Sequence, residues 1–422
     1  MTVSSLSADT STTTAITQAA QKAAGRLAQK TDEERRLGLR TMAQFLADSQ
    51  ARILEANTLD LEVSREMAVP EVLQDWLKLT PERLQRAAEL LAIMGEAHDP
   101  VLRVMPVGYA REATQTYGQL MPLGVIALVY EVFPELAAIA AGLCLQTGNA
   151  LILRGSADAG HTNAAIAQTL QEALAQSQLP PESLQTISAE QGIAIPDLVA
   201  QDSHLNLVIP YGRASFVQQV VQWTTGPVLP TAIGNCYLYY APNGNVDLAR
   251  QIIIDSHGGA PDPVNAIEKV LLHSSLTAVT LVRLFAGLKE AGFELRGEPE
   301  LVQQFPDFLE PLVSDQEWQR AYLNRTIAFR TVVDMTAAIA WINQYSSNHA
   351  DCLVTQSYWE SQQFAQGVNS AQLYINASPR FSRNPKRSNA VFLGMSNQKG
   401  QRRGLIGVES LMTFNQVIQG QI

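Results

Sequence analysis

The sequence predicts an α/β fold built around parallel sheets. Between residues 124 and 240, continuous apolar runs bounded by Gly or Pro alternate with helix-like segments. Before this region lies a block rich in Ala, Leu, Glu, Arg and Gln with helical spacing. After residue 245, strand-like and helix-like segments alternate again. Parallel strands joined by crossover helices are typical of nucleotide-binding α/β domains, so we expect one such domain followed by a second lobe.

The N-terminal part of the chain is predicted from composition and spacing. Residues 1–14 are rich in Ser and Thr and predict a flexible tail. Residues 15 to about 95 predict a helical layer. Its apolar positions include Leu37, Leu39, Met42, Phe45 and Leu46. The β-prone segment 104–125, punctuated by turn residues, predicts an extended hairpin.

The remaining elements follow in chain order. Strands are predicted at 124–130, 150–154, 205–210 and 236–240, with helices at 136–146, 162–176 and 214–224 between them. The second lobe has predicted elements at 246–256, 266–273, 277–291, 336–345 and 371–376. The last ~35 residues predict a loop that leads into a strand.

Composition excludes several classes of function. The 30 Lys+Arg against 40 Asp+Glu leave a net charge of −10, which argues against nucleic acid as a partner. No apolar run approaches the roughly 20 residues of a membrane span, and the N-terminus lacks a signal-peptide pattern, so a cytoplasmic location is expected. The three cysteines are widely spaced, and the six histidines show no HxH or HExxH spacing. We therefore expect neither disulfides nor a bound metal.

Several ordered blocks resemble γ-glutamyl phosphate reductase, a family of the aldehyde dehydrogenase superfamily that reduces γ-glutamyl phosphate to glutamate semialdehyde in proline synthesis. They are DWLKLTPERLQ, PLGVIALVYE, AGLCLQTGNALILRGS, GNCYLYY, NAIEKVLLH, NSAQLYINASPRF and GLIGVESL. The resemblance covers residues ~15 to ~420. It implies an aldehyde-dehydrogenase-like fold, NADP(H), a thiolate nucleophile, and a homo-oligomer that is a dimer or a tetramer.

The resemblance also implies a division of the chain. A Rossmann-like cofactor domain is expected at 15–103 plus 123–244, and a catalytic-type domain at 245–385. An oligomerisation element is expected at 104–122 plus 386–422.

The expected nucleophile is missing from its position. The family segment resembles A-K-x-Q-R-P-x-x-C-N-A-x-E, and the run here is SHGGAPDPVNAIE, which places Val264 on the cysteine. Reduction of an acyl phosphate by this route requires a thiolate that expels phosphate and forms a thioester. An isopropyl group cannot perform that attack.

Other positions that the resemblance ties to chemistry are altered as well. Glu135 stands where an asparagine would donate to the oxyanion. Phe392 stands where a glutamate would accept from the nicotinamide ribose. On the phosphate side Gly212 is kept, but the second glycine has become Arg213. These changes argue against tight cofactor binding as well as against catalysis.

Some residues remain open to two interpretations. Cys236 is the best substitute nucleophile, although a structural thiol is favoured. Arg154, at a predicted strand end, is either a dinucleotide contact or a scaffold arginine. The resemblance places Asn265, Asn376, Ser378 and Arg380 near the substrate, where a guanidinium suits a carboxylate or phosphate; a purely structural turn is the alternative.

A basic cluster stands out against the acidic remainder, and it predicts either a solvated loop or intersubunit ion-pair region, or else a surface for a partner or an anion. Its members are Arg380, Arg383, Lys386, Arg387, Lys399, Arg402 and Arg403.

The leading hypothesis is a family member that has lost catalysis and acts as a binding, regulatory or scaffold protein. Glutamate kinase or an active paralogue are candidate protein partners. The alternative is an active NADPH-dependent reductase, or a related aldehyde oxidoreductase, that uses another thiol.

Overall fold

The computed structural model describes residues 4–101, 103–107, 114–131, 133–188, 191–258, 264–386, 388–398 and 402–420, without the side chains of 4–11. The chain divides into two compact units. The first comprises Met1–Thr231, Arg383–Gly394 and Leu405–Ile422, and the second comprises Ala232–Ser382 and Met395–Gly404.

The helices of the first unit are α1 Ser4–Leu27, α2 Asp32–Asp48, α3 Gln50–Glu66, α4 Glu71–Leu77, α5 Pro81–Glu96, α6 Leu136–Thr147, α7 Gly160–Gln176, α8 Ile195–Val199 and α9 Ala214–Trp223. Local sequence sets several of their ends. A capping box between Thr31 and Glu34 starts α2. The Thr80 side chain caps α5, where Pro81 fits the first turn. The helical layer predicted for 15 to about 95 is therefore present.

The N-terminal segment differs from expectation, because α1 already begins at Ser4 where a flexible tail was predicted for 1–14. The Ala-rich end of α1 packs Ala20 and Ala24 into the core beside the parallel sheet. Once that end is anchored, each added turn costs little, since helix extension is cheaper than nucleation.

The first unit holds the predicted parallel sheet, in the order β5-β4-β3-β6-β7. Its strands are β3 Val125–Tyr130, β4 Ala150–Arg154, β5 Leu184–Thr186, β6 Leu207–Gly212 and β7 Thr231–Ala232. The central strand β3 is buried along its whole length, as expected of a parallel strand covered on both faces. The α/β class is thereby confirmed.

An antiparallel sheet in the first unit has the order β1-β2-β17. Its strands are β1 Val104–Met105, β2 Thr114–Pro122 and β17 Met412–Gly420. β17 pairs with β2 from Met412↔Pro122 to Gly420↔Thr114. The predicted hairpin region and the predicted C-terminal strand thus lie side by side.

The second unit is built on a sheet with the order β11-β10-β12-β9-β8-β13-β14. Its strands are β8 Cys236–Tyr240, β9 Ile267–His273, β10 Glu294–Gly297, β11 Glu310–Pro311, β12 Thr326–Val332, β13 Ala350–Val354 and β14 Gln372–Ile375. Its helices are α10 Val246–Ser256, α11 Ala278–Glu290, α12 Pro299–Gln304, α13 Met335–Tyr345 and α14 Tyr358–Gly367. The short strands β15 Gly394–Ser396 and β16 Gly404–Ile406 form a separate pair.

β8 pairs in parallel with both β9 and β13. Because these ladders tie it into the second sheet, the chain divides at 231/232, earlier than the boundary expected at 244/245.

Candidate functional site

Val264 lies in the turn before β9 and is buried. Its carbonyl oxygen accepts a hydrogen bond of 3.0 Å from the Gly234 amide. A Cβ on Gly234 would lie 2.6 Å from that oxygen and 3.2 Å from Cys236 Sγ. Only glycine therefore allows the two segments to approach this closely. The preceding residues 259–263, which include Pro261, lie outside the described residues.

None of the cysteine thiols has the solvent access and the lowered pKa that a nucleophile needs. Cys144, Cys236 and Cys352 are all free and buried. Burial is the main reason that the pKa of each thiol is raised, and for Cys236 the nearby Asp351 carboxylate raises it further. A reactive cysteine needs a lowered pKa and access to solvent. Cys236 therefore has the properties of a structural thiol.

The residues that the resemblance places near a substrate are mostly engaged in the fold. Asn376 has a φ of 53°, and its side-chain amide bridges the N–H and C=O of Thr355 at 3.0 and 2.7 Å. The Ser378 hydroxyl accepts from the Arg380 amide at 3.3 Å. Arg380 itself pairs with Asp255 at 3.3 Å, with both side chains about half exposed. Such a pair is weak enough for a ligand anion to displace.

Asn265 retains free hydrogen-bonding capacity in the same unit. It is buried, and its Nδ2 donates to the Pro379 carbonyl at 3.0 Å. Its Oδ1 has no partner among the described residues. A buried acceptor without a donor is costly, which is consistent with a ligand or water that would donate to it.

Glu135 lies at the start of α6 and is neutralised by a partner in the same unit. Arg83 of α5 donates to both of its carboxylate oxygens, at 2.6 and 2.7 Å. The Arg83 guanidinium also lies 5.9 Å from the centre of the Phe133 ring. The position where the resemblance predicts an oxyanion donor therefore holds an ion pair, in which Arg83 compensates the charge of the carboxylate. Nothing in the pair supplies the amide donor that the resemblance leads one to expect.

The phosphate-side turn is also filled by an ion pair. Arg213 follows Gly212, and its Nε donates to both oxygens of Glu131 at 3.1 Å. A Cβ on Gly212 would lie 2.9 Å from the Glu131 Cβ, so glycine is required here. Phe392 is half-buried, and its ring lies where a Cβ on Gly407 would be 2.9 Å away. A phenyl ring offers no acceptor to a ribose hydroxyl.

Arg154 ends β4, close to a cavity of about 380 Å³ in the first unit. Its guanidinium donates to the Gly155 carbonyl at 2.6 Å, while its buried Nε has no partner among the described residues. The cavity is lined by Tyr130, Leu153, Gly155, Ser156, Ala157, Gly160, His161, Asn163, Ala164, Thr186, Ile187, Ser188 and Gln191. It lies at the carboxyl end of β4, where ligands bind in open parallel sheets.

Two members of the predicted basic cluster are used within the fold. Arg383 donates to the Leu393 carbonyl, and Arg403 donates to the Asn369 carbonyl. Arg387 and Lys399 lie outside the described residues. Arg383 and Arg403 are therefore scaffold residues, a role that the sequence did not predict, whereas Lys386 and Arg402 are exposed.

Two features of the sites escaped sequence reasoning. Arg83 was available in the block PERLQ, but nothing in the sequence showed that it pairs with Glu135. The second feature is a buried polar cluster in the second unit, where Asp351 accepts from the Tyr237 amide and the Ser346 hydroxyl, each at 2.7 Å. Burial raises the pKa of Asp351 to about 6. Such clusters are invisible in sequence because their members are far apart along the chain.

Within the described part of the chain, no three His, Cys, Asp or Glu side chains are grouped as they would be around a metal ion. None of the described helices combines the length and apolarity needed to cross a membrane.

Sequence comparisons identify similar proteins. The model of the aldehyde dehydrogenase family matches residues 2–234. Gamma-glutamyl phosphate reductase 2 of Synechocystis sp. is 55% identical over 380 residues, which cover 90% of this chain and 90% of that protein. Gamma-glutamyl phosphate reductase of Gloeobacter violaceus is 34% identical over 403 residues, covering 96% of each.

Solved structures give the same result. The crystal structure of gamma-glutamyl phosphate reductase from Thermotoga maritima matches with a TM-score of 0.87 and 28% identity, over 97% of this chain and 98% of that one. A probable aldehyde dehydrogenase from Listeria monocytogenes matches with a TM-score of 0.75 at 14% identity, over 98% and 97%. The second likeness concerns the fold alone.

Proposed function

Because the chain belongs to the γ-glutamyl phosphate reductase family of the aldehyde dehydrogenase superfamily, we propose that it serves proline biosynthesis as a family member without the thioester-forming step. In this proposal it binds a nucleotide or a glutamyl ligand and acts as a regulatory or scaffold protein. Loss of the thioester-forming step with retention of binding would explain both the retained fold and the altered residues at the reaction site.

The observation that carries the proposal is the burial of the cysteine thiols and their raised pKa. Val264 aligns with the nucleophile, and the chain's three thiols are buried with a raised pKa. The first step of the reduction needs a thiolate in contact with the substrate carbonyl. Burial disfavours the thiolate and also blocks access to it, so both requirements fail for the same physical reason.

The residues of the expected dinucleotide site suit the adenosine end of the ligand better than its nicotinamide end. The cavity beside β4 has the size and polarity for an adenosine group, and Arg154 stands next to it. At the nicotinamide end, Phe392 removes an acceptor and Arg213 is tied to Glu131. When bound, NADP(H) would supply hydride chemistry. The residues present here can hold the adenosine end of the cofactor, but they are poorly suited to orient its nicotinamide ring. Binding without turnover is the expected outcome.

Turnover measurements test the proposal in both directions. The protein should not oxidise NADPH with γ-glutamyl phosphate, nor reduce NADP with glutamate semialdehyde and phosphate. The Thermotoga maritima relative, named as a reductase, is the positive control under identical conditions. Turnover that rises in proportion to protein concentration, and that heat denaturation abolishes, would refute the proposal.

A second candidate function is an active NADPH-dependent γ-glutamyl phosphate reductase. The comparisons favour it, because a relative that is 55% identical carries that name. It requires another nucleophile, and the Cys236 thiol lies close to the Val264 turn, since a Cβ on Gly234 would be 2.6 Å from the Val264 oxygen and 3.2 Å from Cys236 Sγ. Site-resolved labelling with iodoacetamide at neutral pH separates the two functions. Rapid modification of Cys236 in the folded protein would favour the active enzyme, while modification only after unfolding would favour the binding protein.

Self-association through the β1-β2-β17 sheet is a further part of the proposal. β17 forms one edge of that sheet, and its Phe414 and Ile418 are 54% and 45% exposed. Long edge strands with apolar side chains favour pairing with another chain, which supports a homo-oligomer. Glutamate kinase or an active paralogue could be held by the same assembly. The free thiols are consistent with a reducing cytoplasmic location.

A further inference from the structure

An open cleft of about 680 Å³ lies in the first unit, where the helical layer meets the end of α7. It is lined by the end of α1, the start of α2 and the segment 175–182. Among the described residues, none lines both this cleft and the cavity beside β4. Its volume is in the range of sites that hold small organic ligands, so it is a separate candidate site.

Positive and negative side chains are present in equal numbers in the cleft. The charged residues that line it are Arg26, Lys30, Glu34 and Glu182, and the other described lining residues are uncharged. Arg35 also approaches, because it donates to the Lys30 carbonyl, but Asp99 pairs with it at 2.8 Å. The cleft therefore has no net charge, which disfavours a ligand with an excess of either sign.

The two ion pairs of the cleft differ in how firmly they are held. Glu34 accepts from Lys30 Nζ and from the Thr31 amide, each at 2.8 Å, and these contacts lower its pKa to about 2. Arg26 and Glu182 meet through a single contact of 2.8 Å, and their side chains are 57% and 50% exposed. A pair this exposed contributes little to stability, so a ligand can replace either partner.

The rest of the cleft wall is mainly apolar and is formed by Ala175, Leu179, Pro180 and Pro181. Gln178 also lines the cleft, and its φ is 56°. Glycine is usual at this position after a helix, because a positive φ is sterically costly for a residue with a Cβ. Such an outlier beside a cleft is consistent with a role for its side-chain amide in the site.

We propose that this cleft binds a free aliphatic α-amino acid in its zwitterionic form. The ligand carboxylate takes the place of Glu182 on Arg26, and the ligand ammonium takes the place of Arg26 on Glu182. This exchange keeps the net charge of the cleft at zero, and the apolar wall receives the aliphatic side chain. The site goes beyond the proposed function, because it adds a second, amino-acid ligand at a place that shares no described lining residue with the nucleotide cavity.

Ligand-observed NMR titrations of the full chain with three related compounds test the proposal. L-Valine carries both charges, L-valinamide lacks the carboxylate, and N-acetyl-L-valine lacks the ammonium group. L-Valine should bind about tenfold more tightly than either derivative, because each derivative loses one charge-assisted contact.

Two variants assign the contacts to individual side chains. Arg26→Gln should weaken L-valine binding about tenfold and leave L-valinamide binding unchanged, since that compound has no carboxylate to lose. Glu182→Gln should weaken L-valine binding to a similar extent and leave N-acetyl-L-valine binding unchanged. The matched control is Arg86→Gln, which breaks the similarly exposed pair Arg86–Glu89 of the same unit and should leave all three affinities unchanged.

Melting curves establish that each variant is folded before titration, as expected for substitutions of exposed side chains. Absence of L-valine binding, equal affinities for the three compounds, or unchanged L-valine affinity in Arg26→Gln or in Glu182→Gln would each overturn the inference. None of these results bears on the proposed function, which is decided by turnover.

Discussion

Arg83 and Glu135 form an ion pair in which the guanidinium donates to both carboxylate oxygens, with side-chain exposures of only 13% and 5%. Two charges so far from solvent depend on each other. Removal of one leaves the other unpaired in a medium that solvates it poorly.

A double-mutant cycle tests this dependence. Arg83→Gln should lower the free energy of unfolding by about 3 kcal/mol, because Glu135 is left buried without a cation. The double variant Arg83→Gln with Glu135→Gln should recover part of that loss, giving a coupling energy of roughly 1–3 kcal/mol in urea unfolding. The matched control is the exposed pair Arg26–Glu182, whose coupling should not exceed about 1 kcal/mol. Equal coupling energies for the two pairs would contradict this account.

On the proposed function, Val264→Cys alone should not give reductase activity. This change supplies a thiol at the position that the resemblance assigns to the nucleophile. Glu135 and Phe392 still occupy the positions where the resemblance predicts an amide donor and a carboxylate acceptor. Loss of one oxyanion donor typically costs about 10²–10³ in kcat. Steady-state assays should therefore show Val264→Cys far below the Thermotoga maritima relative. Full activity in this single variant would mean that the other two replacements are neutral.

The acid stability of the protein should depend on His349. Burial lowers its pKa to about 4, so protons bind more readily to the unfolded chain, and the free energy of unfolding falls as the pH drops from 6.5 to 4. Burial raises the pKa of Asp351 from 3.8 to about 6, which contributes stability below pH 3.8 that is lost as the pH rises through 6. The two contributions oppose each other between pH 4 and 6.

His349→Gln removes the first contribution and leaves the second. The variant should gain stability relative to wild type, on the order of 2 kcal/mol, as the pH is lowered from 6.5 to 4. Urea unfolding at several pH values measures this difference. Parallel curves for His349→Gln and wild type would exclude the buried neutral histidine.

The edge strand β17 should govern self-association. Phe414→Glu combined with Ile418→Glu places two like charges on this strand and should shift the oligomer toward monomer in light scattering coupled to size exclusion. Val279→Glu alters an apolar residue of the second unit that is more exposed than either of these, at 81%, and should leave the mass unchanged. A monomeric wild-type protein, or a double variant with unchanged mass, would argue against this interface.

Most of the fold could be predicted from sequence because the residues of each strand show a recognisable local pattern. The strand predicted at 236–240 has the same bounds as β8, since a short apolar segment bounded by turn residues fits a buried strand. The domain boundary was harder to predict from sequence, because the unit to which β8 belongs depends on its pairing with β9 and β13. The helix that begins at Ser4 was missed because Ser and Thr have only modest helix propensity.

The positions of the candidate site residues could be predicted from sequence, but the contacts that these residues make could not. Val264 and Glu135 could be located from the blocks around them. That Arg83 neutralises Glu135, or that Arg26 pairs with Glu182, depends on residues separated by 52 and 156 positions in sequence. Such contacts are properties of the folded chain.

Acyl trapping tests the central claim most directly. The protein is incubated with glutamate semialdehyde and NADP without phosphate, so that any thioester formed after hydride transfer would accumulate, and its intact mass is measured. The account predicts an unchanged mass for this protein and a glutamyl adduct on the Thermotoga maritima relative. A glutamyl adduct mapped to Cys236, or to either of the other cysteines, would contradict it.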